Sequence, residues 1–153
     1  MSDKLSNIPV VLLVEDNQDD IFLAQAAITD LPYKLDLKVA TDAMEALSLL
    51  GISKLSSVQQ MTTMPQLILM DLKLPKTDGI EILTLLRDAP ETRHIPIVML
   101  TTSNEFKDVS ASYREGANSY LLKPVDFDQF KHTLSKALDY WLNINIKIAP
   151  NQS

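Results

Sequence analysis

The chain alternates five times between a short apolar run and a longer segment in which apolar residues recur every three or four positions. The short runs are mostly continuous and rich in Val, Ile and Leu, which is typical of strands that are buried on both faces. These predicted strands cover residues 9–14, 35–40, 66–70, 95–100 and 118–122. The strict alternation of strand and helix predicts an α/β fold, in which helices cover both faces of one five-stranded parallel sheet.

The helical patterns follow the strands. They cover residues 18–30, 43–50, 80–87, 105–115 and 127–142. In the last helix, five apolar residues share one face: Phe127, Phe130, Leu134, Leu138 and Trp141. Asp126 is a predicted N-cap for this helix, and Gln129 follows three residues later, as in a capping box.

Size and composition limit the class of protein. With 153 residues the chain has room for one domain, which we assign to residues 9–142, between tails at 1–8 and 143–153. The net charge of −6 argues against binding to nucleic acid. No apolar run reaches the roughly 18 residues that span a membrane, and no signal peptide is recognisable, so we expect a cytoplasmic protein. Because there is no Cys and only two His residues, any bound metal should be a hard cation held by oxygen.

Two segments fit the alternation poorly. Residues 51–63 are polar and predict an extended connection, in which Ile52, Leu55 and Val58 have the spacing of a short extra helical turn. Residues 143–148 alternate polar and apolar side chains, which is a strand-like pattern at a chain end. For this tail two interpretations stay open, a disordered end or a segment that is ordered at an interface with a partner or a second copy.

Polar residues that can bind ions or take part in a reaction follow four of the five predicted strands. In an open parallel α/β sheet, ligands bind outside the carboxyl ends of the strands, so these side chains should share one cavity. They are Glu15, Asp16, Asp71, Thr101, Thr102 and Lys123. Three neighbouring carboxylates need a neutralising cation, and Mg²⁺ suits oxygen ligands of this kind. With Mg²⁺ bound, a carboxylate can approach a phosphoryl donor, and Lys123 and Thr101 can stabilise the transferred oxygens.

Four motifs in this order resemble the receiver domain of two-component response regulators. They are Val-Leu-Leu-Val-Glu-Asp-Asn at 11–17, Asp71 with Leu-Pro at 74–75 and Asp-Gly at 78–79, Leu-Thr-Thr at 100–102, and Tyr-Leu-Leu-Lys-Pro at 120–124. The resemblance covers roughly residues 9–141. It implies the three-layer, doubly wound, flavodoxin-like fold with strand order 2-1-3-4-5.

The resemblance also implies how the acidic residues act. Asp71 would be the phosphoacceptor, and Glu15 and Asp16 would be the acidic pair that positions Mg²⁺. Asp16, Asp71 and the backbone carbonyl of Lys73 would ligate the ion directly, while Glu15 would act through a bound water. The Lys73 side chain departs from many relatives, which have a shorter or neutral residue there, and it is expected to alter phosphoryl lifetime or access of the donor.

The remaining motif residues would act on the phosphoryl group and on the switch. By the resemblance, Thr101 and Lys123 hold phosphoryl oxygens with help from the backbone N–H of Thr102. Thr101 and Tyr120 match the family's switch pair, in which the hydroxyl moves toward the phosphoryl group and the aromatic ring turns inward behind it. The protein would thus assist its own phosphorylation and dephosphorylation without being a turnover enzyme.

A narrower resemblance concerns the partner. The long connection before the third strand, together with Tyr140-Trp141-Leu142, is similar to the stand-alone regulators of bacterial phytochrome histidine kinases. It implies a sensor histidine kinase as donor and, because only about a dozen residues follow Trp141, output through an unknown downstream protein. Such regulators tend to pair, and an exposed Trp141-Leu142 end with Ile144, Ile146 and Ile148 predicts a homodimer.

Four alternatives stay open. The donor can be a kinase other than a phytochrome, or the chain can be an intermediate of a phosphorelay. A phosphatase with an aspartyl intermediate is disfavoured, because haloacid-dehalogenase-like enzymes place an Asp-x-Asp pair after the first strand, and Lys73 replaces the second acid here. A binding module with a vestigial site is disfavoured by the complete set of five site residues.

Several other charged residues receive structural interpretations. Asp19 and Asp20 are expected only to favour the N-terminus of the first helix, and Asp78 only to shape a loop. His94 and His132 are predicted to be surface residues, and neither resembles a phosphorelay histidine.

Overall fold

The computed structural model describes residues 8–53 and 57–148, and five of its strands form one parallel sheet. These strands are β1 Val10–Val14, β2 Asp36–Ala40, β3 Leu67–Met70, β4 Ile97–Thr101 and β5 Ser119–Leu122. Their order across the sheet is β2-β1-β3-β4-β5, and all neighbouring pairs are parallel. The predicted fold class and strand order are therefore confirmed. Residues 1–7, Leu55 and residues 149–153, for which we also made predictions, lie outside the described residues.

Within residues 8–53 and 57–148, five α-helices connect and flank the strands. They are α1 Gln18–Thr29, α2 Ala43–Leu49, α3 Gly79–Asp88, α4 Phe106–Arg114 and α5 Phe127–Asp139. Asp126 caps α5 by accepting a hydrogen bond from the backbone N–H of Gln129, as predicted. In the part of the chain that the structure describes, no helix is long and apolar enough to cross a membrane.

The sheet separates two apolar cores, so the fold has three layers. Side chains along a strand point alternately to opposite faces. In β1, Leu12 and Val14 belong to the core that contains buried residues of α2 and α3. Val11 and Leu13 belong to the core that contains buried residues of α1 and α5. The central strands are thus apolar on both sides, which explains their continuous hydrophobic runs.

The segment between β3 and α3 contains a small hairpin that the sequence did not predict. Its strands, Lys73–Leu74 and Thr77–Asp78, pair antiparallel. Lys76 lies in the turn with a φ of 62°, a left-handed conformation that is uncommon outside Gly. Strands of two residues are too short to have a detectable hydrophobic period.

The C-terminal end differs from the prediction. α5 continues into a π-helical turn at Tyr140–Ile144, and the described residues 145–148 form no strand. Leu142 is only 6% exposed and packs in the core beside α1, while Trp141 is half-buried, so the prediction of an exposed Trp141-Leu142 end was wrong. Four apolar side chains of this end remain exposed: Tyr140, Ile144, Ile146 and Ile148.

The Arg87 side chain joins the end of α3 to the beginnings of β4 and β5. Its Nη1 donates to the carbonyls of Arg93 and Ile95, at 3.0 and 2.8 Å. Its Nε donates to the carbonyl of Gly116 at 2.9 Å, and its Nη2 donates to Asn118 Oδ1 at 2.7 Å.

We expect Arg87→Met to lower the free energy of unfolding by about 2–4 kcal/mol, because it leaves several acceptors without their donor. Arg93→Met removes the same charge from an exposed side chain and should change stability by less than about 0.5 kcal/mol. Urea unfolding of the two variants measures the difference. Equal losses would show that the Arg87 contacts add nothing to stability.

Candidate functional site

Backbone hydrogen bonds extend the sheet pattern past the strand ends and fix the site residues. The N–H of Glu15 donates to a carbonyl of β2 at 2.9 Å, and the N–H of Asp71 donates to a carbonyl of β1 at 3.0 Å. The N–H of Lys123 donates to the carbonyl of Thr101 at 2.8 Å. The four residues therefore meet at the carboxyl edge of the sheet, as the strand order predicts.

Glu15, Asp16 and Asp71 form an acidic cluster. Each contributes one carboxylate oxygen, and these oxygens all lie within 4.8 Å of one another. Glu15 is 2% exposed, Asp16 is exposed and Asp71 is intermediate, so the cluster opens to solvent on one side. Oxygen donors at this spacing suit a hard divalent cation that keeps part of its water shell, and the residues therefore fit Mg²⁺.

The ammonium group of Lys123 lies at the centre of the site. Its Nζ is 2.6 Å from Glu15 Oε1 and 3.0 Å from Asp71 Oδ2. The Lys123 side chain is only 7% exposed. A buried ammonium at this position compensates part of the acidic charge, and it is close enough to Asp71 to contact a group attached there.

Asp20 is a site residue that the sequence interpretation missed. We expected it only to favour the N-terminus of α1, but its Oδ2 lies 2.8 Å from Lys123 Nζ. Lys123 therefore contacts three carboxylates at once. No local signal in the sequence distinguishes Asp20 from an acid that only favours a helix N-terminus.

Burial and neighbouring charges shift two pKa values in the site. Burial raises the pKa of the Glu15 carboxyl to about 7, and the charge of Asp71 adds to this, while contacts with Lys123 act in the opposite direction. Burial alone lowers the pKa of Lys123, but its hydrogen bonds to Asp20, Glu15 and Asp71 outweigh burial, and the net shift is upward. The ammonium therefore stays charged at neutral pH, while Glu15 is close to its midpoint.

In the absence of divalent cations, we expect the free energy of unfolding to fall as the pH rises from about 4.5 to about 7. In this window the folded protein keeps the Glu15 proton that the unfolded chain has already released, so rising pH favours unfolding. By pH 7 and above, the free energy of unfolding should be lower than at pH 4.5 by an amount on the order of 1–3 kcal/mol. Denaturant unfolding should show a flatter pH profile in Glu15→Gln but not in Glu81→Gln, which alters an exposed carboxylate of α3. The same slope in both variants would refute a role for Glu15.

Close backbone contacts shape the loop after Asp71. The N–H of Lys73 lies 3.4 Å from Asp71 Oδ1, and the Lys73 side chain is exposed. A Cβ atom on Gly79 would lie 2.6 Å from the carbonyl oxygen of Asp71, so a larger residue would displace the loop that follows Asp71. Asp78, which we expected only to shape a loop, is the N-cap of α3 and accepts a hydrogen bond from the N–H of Ile80 at 2.9 Å.

Thr101 and Tyr120 are linked through Ser103. Thr101 is 2% exposed, and its Oγ1 accepts a long hydrogen bond of 3.4 Å from the N–H of Ser103. The Tyr120 hydroxyl donates to the carbonyl of Ser103 at 2.7 Å, and its ring packs against the core beside α2 and α3. Burial is the main cause that raises the pKa of Tyr120, so its hydroxyl stays protonated. Thr102, between Thr101 and Ser103, is exposed at the rim of the site.

The two histidines lie away from this acidic site. His132 is exposed on α5, as predicted. The prediction for His94 was wrong, because His94 is half-buried and its buried Nδ1 has no hydrogen-bond partner among the residues that the structure describes. It lines a cavity of about 330 Å³ together with Trp141 and Ile146. This cavity lies at the opposite edge of the sheet from Asp71.

Comparison with known proteins assigns this geometry to a family. Residues 11–135 match the family model described as the response regulator receiver domain. The chain is 34% identical over 141 residues to the probable methanogenesis regulatory protein FilR2 of Methanothrix harundinacea, which covers 92% of this chain and 88% of that protein. It is 34% identical over 142 residues to the response regulator Rcp1 of Synechocystis sp., with 93% and 95% covered.

Solved structures give the same result. The phosphorylated cyanobacterial phytochrome response regulator RcpA is 31% identical, with a TM-score of 0.84 over 93% of this chain and 99% of that chain. The Mn²⁺-bound form of Rcp1 is 32% identical, with a TM-score of 0.79 over 92% and 99% of the two chains.

Proposed function

The chain belongs to the response regulator receiver domain family, and on that premise we propose that it is a signalling switch in which Asp71 accepts a phosphoryl group from a histidine kinase. The observation that supports this proposal is the contact between Lys123 Nζ and Asp71 Oδ2, 3.0 Å long, beside the acidic cluster. The ammonium group, together with a cation bound by the acidic cluster, would reduce the repulsion between the Asp71 carboxylate and an anionic phosphoryl donor. The output is a protein contact and not the turnover of a substrate.

The acidic cluster supports the choice of Mg²⁺ as cofactor. We assign Asp16, Asp71 and the backbone carbonyl of Lys73 as direct ligands, and Glu15 as the holder of a bound water. When bound, the ion supplies neutralisation of the carboxylates and of the charge on the phosphoryl oxygens. Similarity to Rcp1, which was solved with Mn²⁺ bound, supports a divalent cation here.

In the proposed transfer, an Asp71 oxygen attacks the phosphorus of a phosphohistidine on the kinase. A phosphorus–oxygen bond forms as the phosphorus–nitrogen bond breaks, and the imidazole leaves with the electron pair. Lys123, the Thr101 hydroxyl and the backbone N–H of Thr102 hold the oxygens of the transferred group. Each of these groups donates hydrogen bonds, so together they stabilise the charge of the transition state.

We assign the conformational switch to Thr101 and Tyr120. When Thr101 turns toward the phosphoryl group, it gives up its weak contact with Ser103, whose carbonyl is the acceptor for the Tyr120 hydroxyl. A change at Asp71 is then transmitted to Tyr120 on β5 through one shared residue, Ser103. This assignment requires two arrangements of the Ser103 loop with different populations in the two phosphorylation states.

For the partner, we propose a phytochrome histidine kinase, because RcpA is a phytochrome response regulator and resembles this chain over nearly its whole length. The similarity to FilR2, a probable methanogenesis regulator, supports the alternative of a different kinase or a phosphorelay. We further propose that the protein pairs as a homodimer through its C-terminal end. Tyr140, Ile144 and Ile146 are 46%, 60% and 92% exposed there, so a second copy can bury additional apolar area.

Phosphotransfer from a panel of purified histidine kinases, followed by size-exclusion chromatography, tests these proposals. We expect Mg²⁺-dependent transfer that EDTA prevents, with a phytochrome kinase well above the others in rate. A non-phytochrome kinase with the highest rate would support the alternative donor. Elution as a monomer both before and after phosphorylation would refute the dimer. Multiple turnover of small phosphoesters would favour a phosphatase instead.

A further inference from the structure

Asp20 contacts Lys123 although it lies outside the acidic cluster. Its Oδ2 is 2.8 Å from Lys123 Nζ, and its side chain is 28% exposed, whereas that of Lys123 is 7% exposed. The N–H of Asp20 donates to Asn17 Oδ1 at 3.0 Å, so the N-cap of α1 fixes the helical turn from which Asp20 projects. The short Asp side chain has few rotamers, and the contact is therefore built into the start of the helix.

The three acceptors of Lys123 are not equivalent. An ammonium group has three N–H donors, and the carboxylates of Glu15, Asp20 and Asp71 all lie within hydrogen-bond distance of it. Glu15 and Asp71 belong to the acidic cluster that suits a divalent cation, and Asp20 does not. If Glu15 and Asp71 interact with a bound cation, Asp20 is the carboxylate that still accepts a hydrogen bond from Lys123.

We propose that Asp20 is a positioning residue that anchors Lys123 at the site while Glu15 and Asp71 serve the metal. This inference rests on the proposed function of Asp71 as phosphoacceptor. The Lys side chain is a flexible four-carbon stem, so an ammonium without an anchor samples positions away from the phosphoryl oxygens. Asp20 restricts this motion, and the ammonium meets the incoming phosphoryl group in a reactive orientation.

Asp20→Asn tests the anchor, with Asp19→Asn as the matched control. Both variants remove one carboxylate from the first turn of α1, and Asp19 is exposed. With acetyl phosphate as donor at saturating Mg²⁺, we expect the phosphorylation rate to fall by about 5–20-fold in Asp20→Asn and by less than about twofold in Asp19→Asn. Asp20→Glu keeps the carboxylate and should recover part of the rate. Mg²⁺ affinity, measured by calorimetry, should be the same in the two Asn variants.

The same substitution in a Lys123→Met protein distinguishes an effect of Asp20 on the position of Lys123 from a general effect of its charge. If Asp20 acts through Lys123, then Asp20→Asn should cause no further loss of rate in a Lys123→Met protein. The anchor is overturned by an equal loss in both backgrounds, or by equal rates in Asp20→Asn and Asp19→Asn while the wild-type protein is phosphorylated at Asp71. A wild-type protein that takes up no phosphoryl group at Asp71 would instead overturn the proposed function.

Discussion

Replacement of Asp71 by Asn is expected to abolish phosphoryl transfer, both from a kinase and from acetyl phosphate. The neutral amide oxygen is a much poorer nucleophile than the carboxylate, and the amide is also a weaker ligand for a hard cation. Folding should be retained, because Asn fills the same space and the substitution removes one negative charge from a crowded acidic cluster. The thermal midpoint of Asp71→Asn should therefore equal or exceed that of the wild-type protein.

Asp78→Asn is the matched control for this prediction. It removes the same charge from the same loop, but Asp78 is exposed and acts as the N-cap of α3. Asn is also a good N-cap, so we expect near-normal phosphorylation and a stability change within about 1 kcal/mol. Uptake of the phosphoryl group by Asp71→Asn at the wild-type rate would reject Asp71 as acceptor. Loss of uptake in both variants would show that the loop geometry, and not the Asp71 carboxylate, is limiting.

Replacement of Lys123 by Met should slow phosphorylation by about 10²–10³-fold, because it removes a preorganised charge that faces the transferred oxygens. Mg²⁺ affinity should be retained or increased, since the ammonium competes with the cation for Glu15 and Asp71. Rate measurements with acetyl phosphate and calorimetric titration with Mg²⁺ distinguish these two effects. Lower Mg²⁺ affinity together with the slow rate would mean that Lys123 organises the carboxylates and does not act on the phosphoryl group.

Lys123→Met should also destabilise the metal-free protein, by about 3 kcal/mol, because buried carboxylates lose their positive partner. The loss should be larger at pH 8 than at pH 6, since Glu15 can be protonated at the lower pH. Added Mg²⁺ should restore much of the stability, because the ion binds only the folded site. Lys136→Met, which alters an exposed residue of α5, supplies the control and should show none of these effects.

The sheet was predictable because its hydrophobic pattern is simple. β1 and β3 are buried on both faces, and their continuous apolar runs end within one residue of the structural strand ends. Polar residues directly after the strands of one parallel sheet lie at its carboxyl edge, so the meeting of Glu15, Asp71 and Lys123 followed from the alternation of strands and helices. Their roles in phosphorylation came from the resemblance to receiver domains, which the family match supports.

Asp20 was not predictable in the same way. The helix dipole alone explains an acid in the first turn of a helix. The sequence therefore gave no reason to expect a contact between Asp20 and Lys123. That contact joins residues 103 positions apart, and the spacing of residues along the chain gives no information about it. Trp141 and Leu142 were misjudged for a different reason. The helical spacing placed Trp141 on the apolar face of α5 with Leu134 and Leu138, and the structure packs it against the same core. The expectation of an exposed end came instead from the resemblance to regulators that pair.

The central claim is that Asp71 forms an acyl phosphate in a Mg²⁺-dependent reaction. Borohydride reduces an aspartyl phosphate to homoserine, so peptide mass spectrometry after reduction locates the phosphoryl group in the wild-type protein. After incubation with acetyl phosphate and Mg²⁺, we predict homoserine at position 71 and at no other acidic residue, and none when EDTA replaces Mg²⁺. Conversion of a different acid, or an intact protein that has gained a phosphoryl group without conversion at position 71, would contradict the claim.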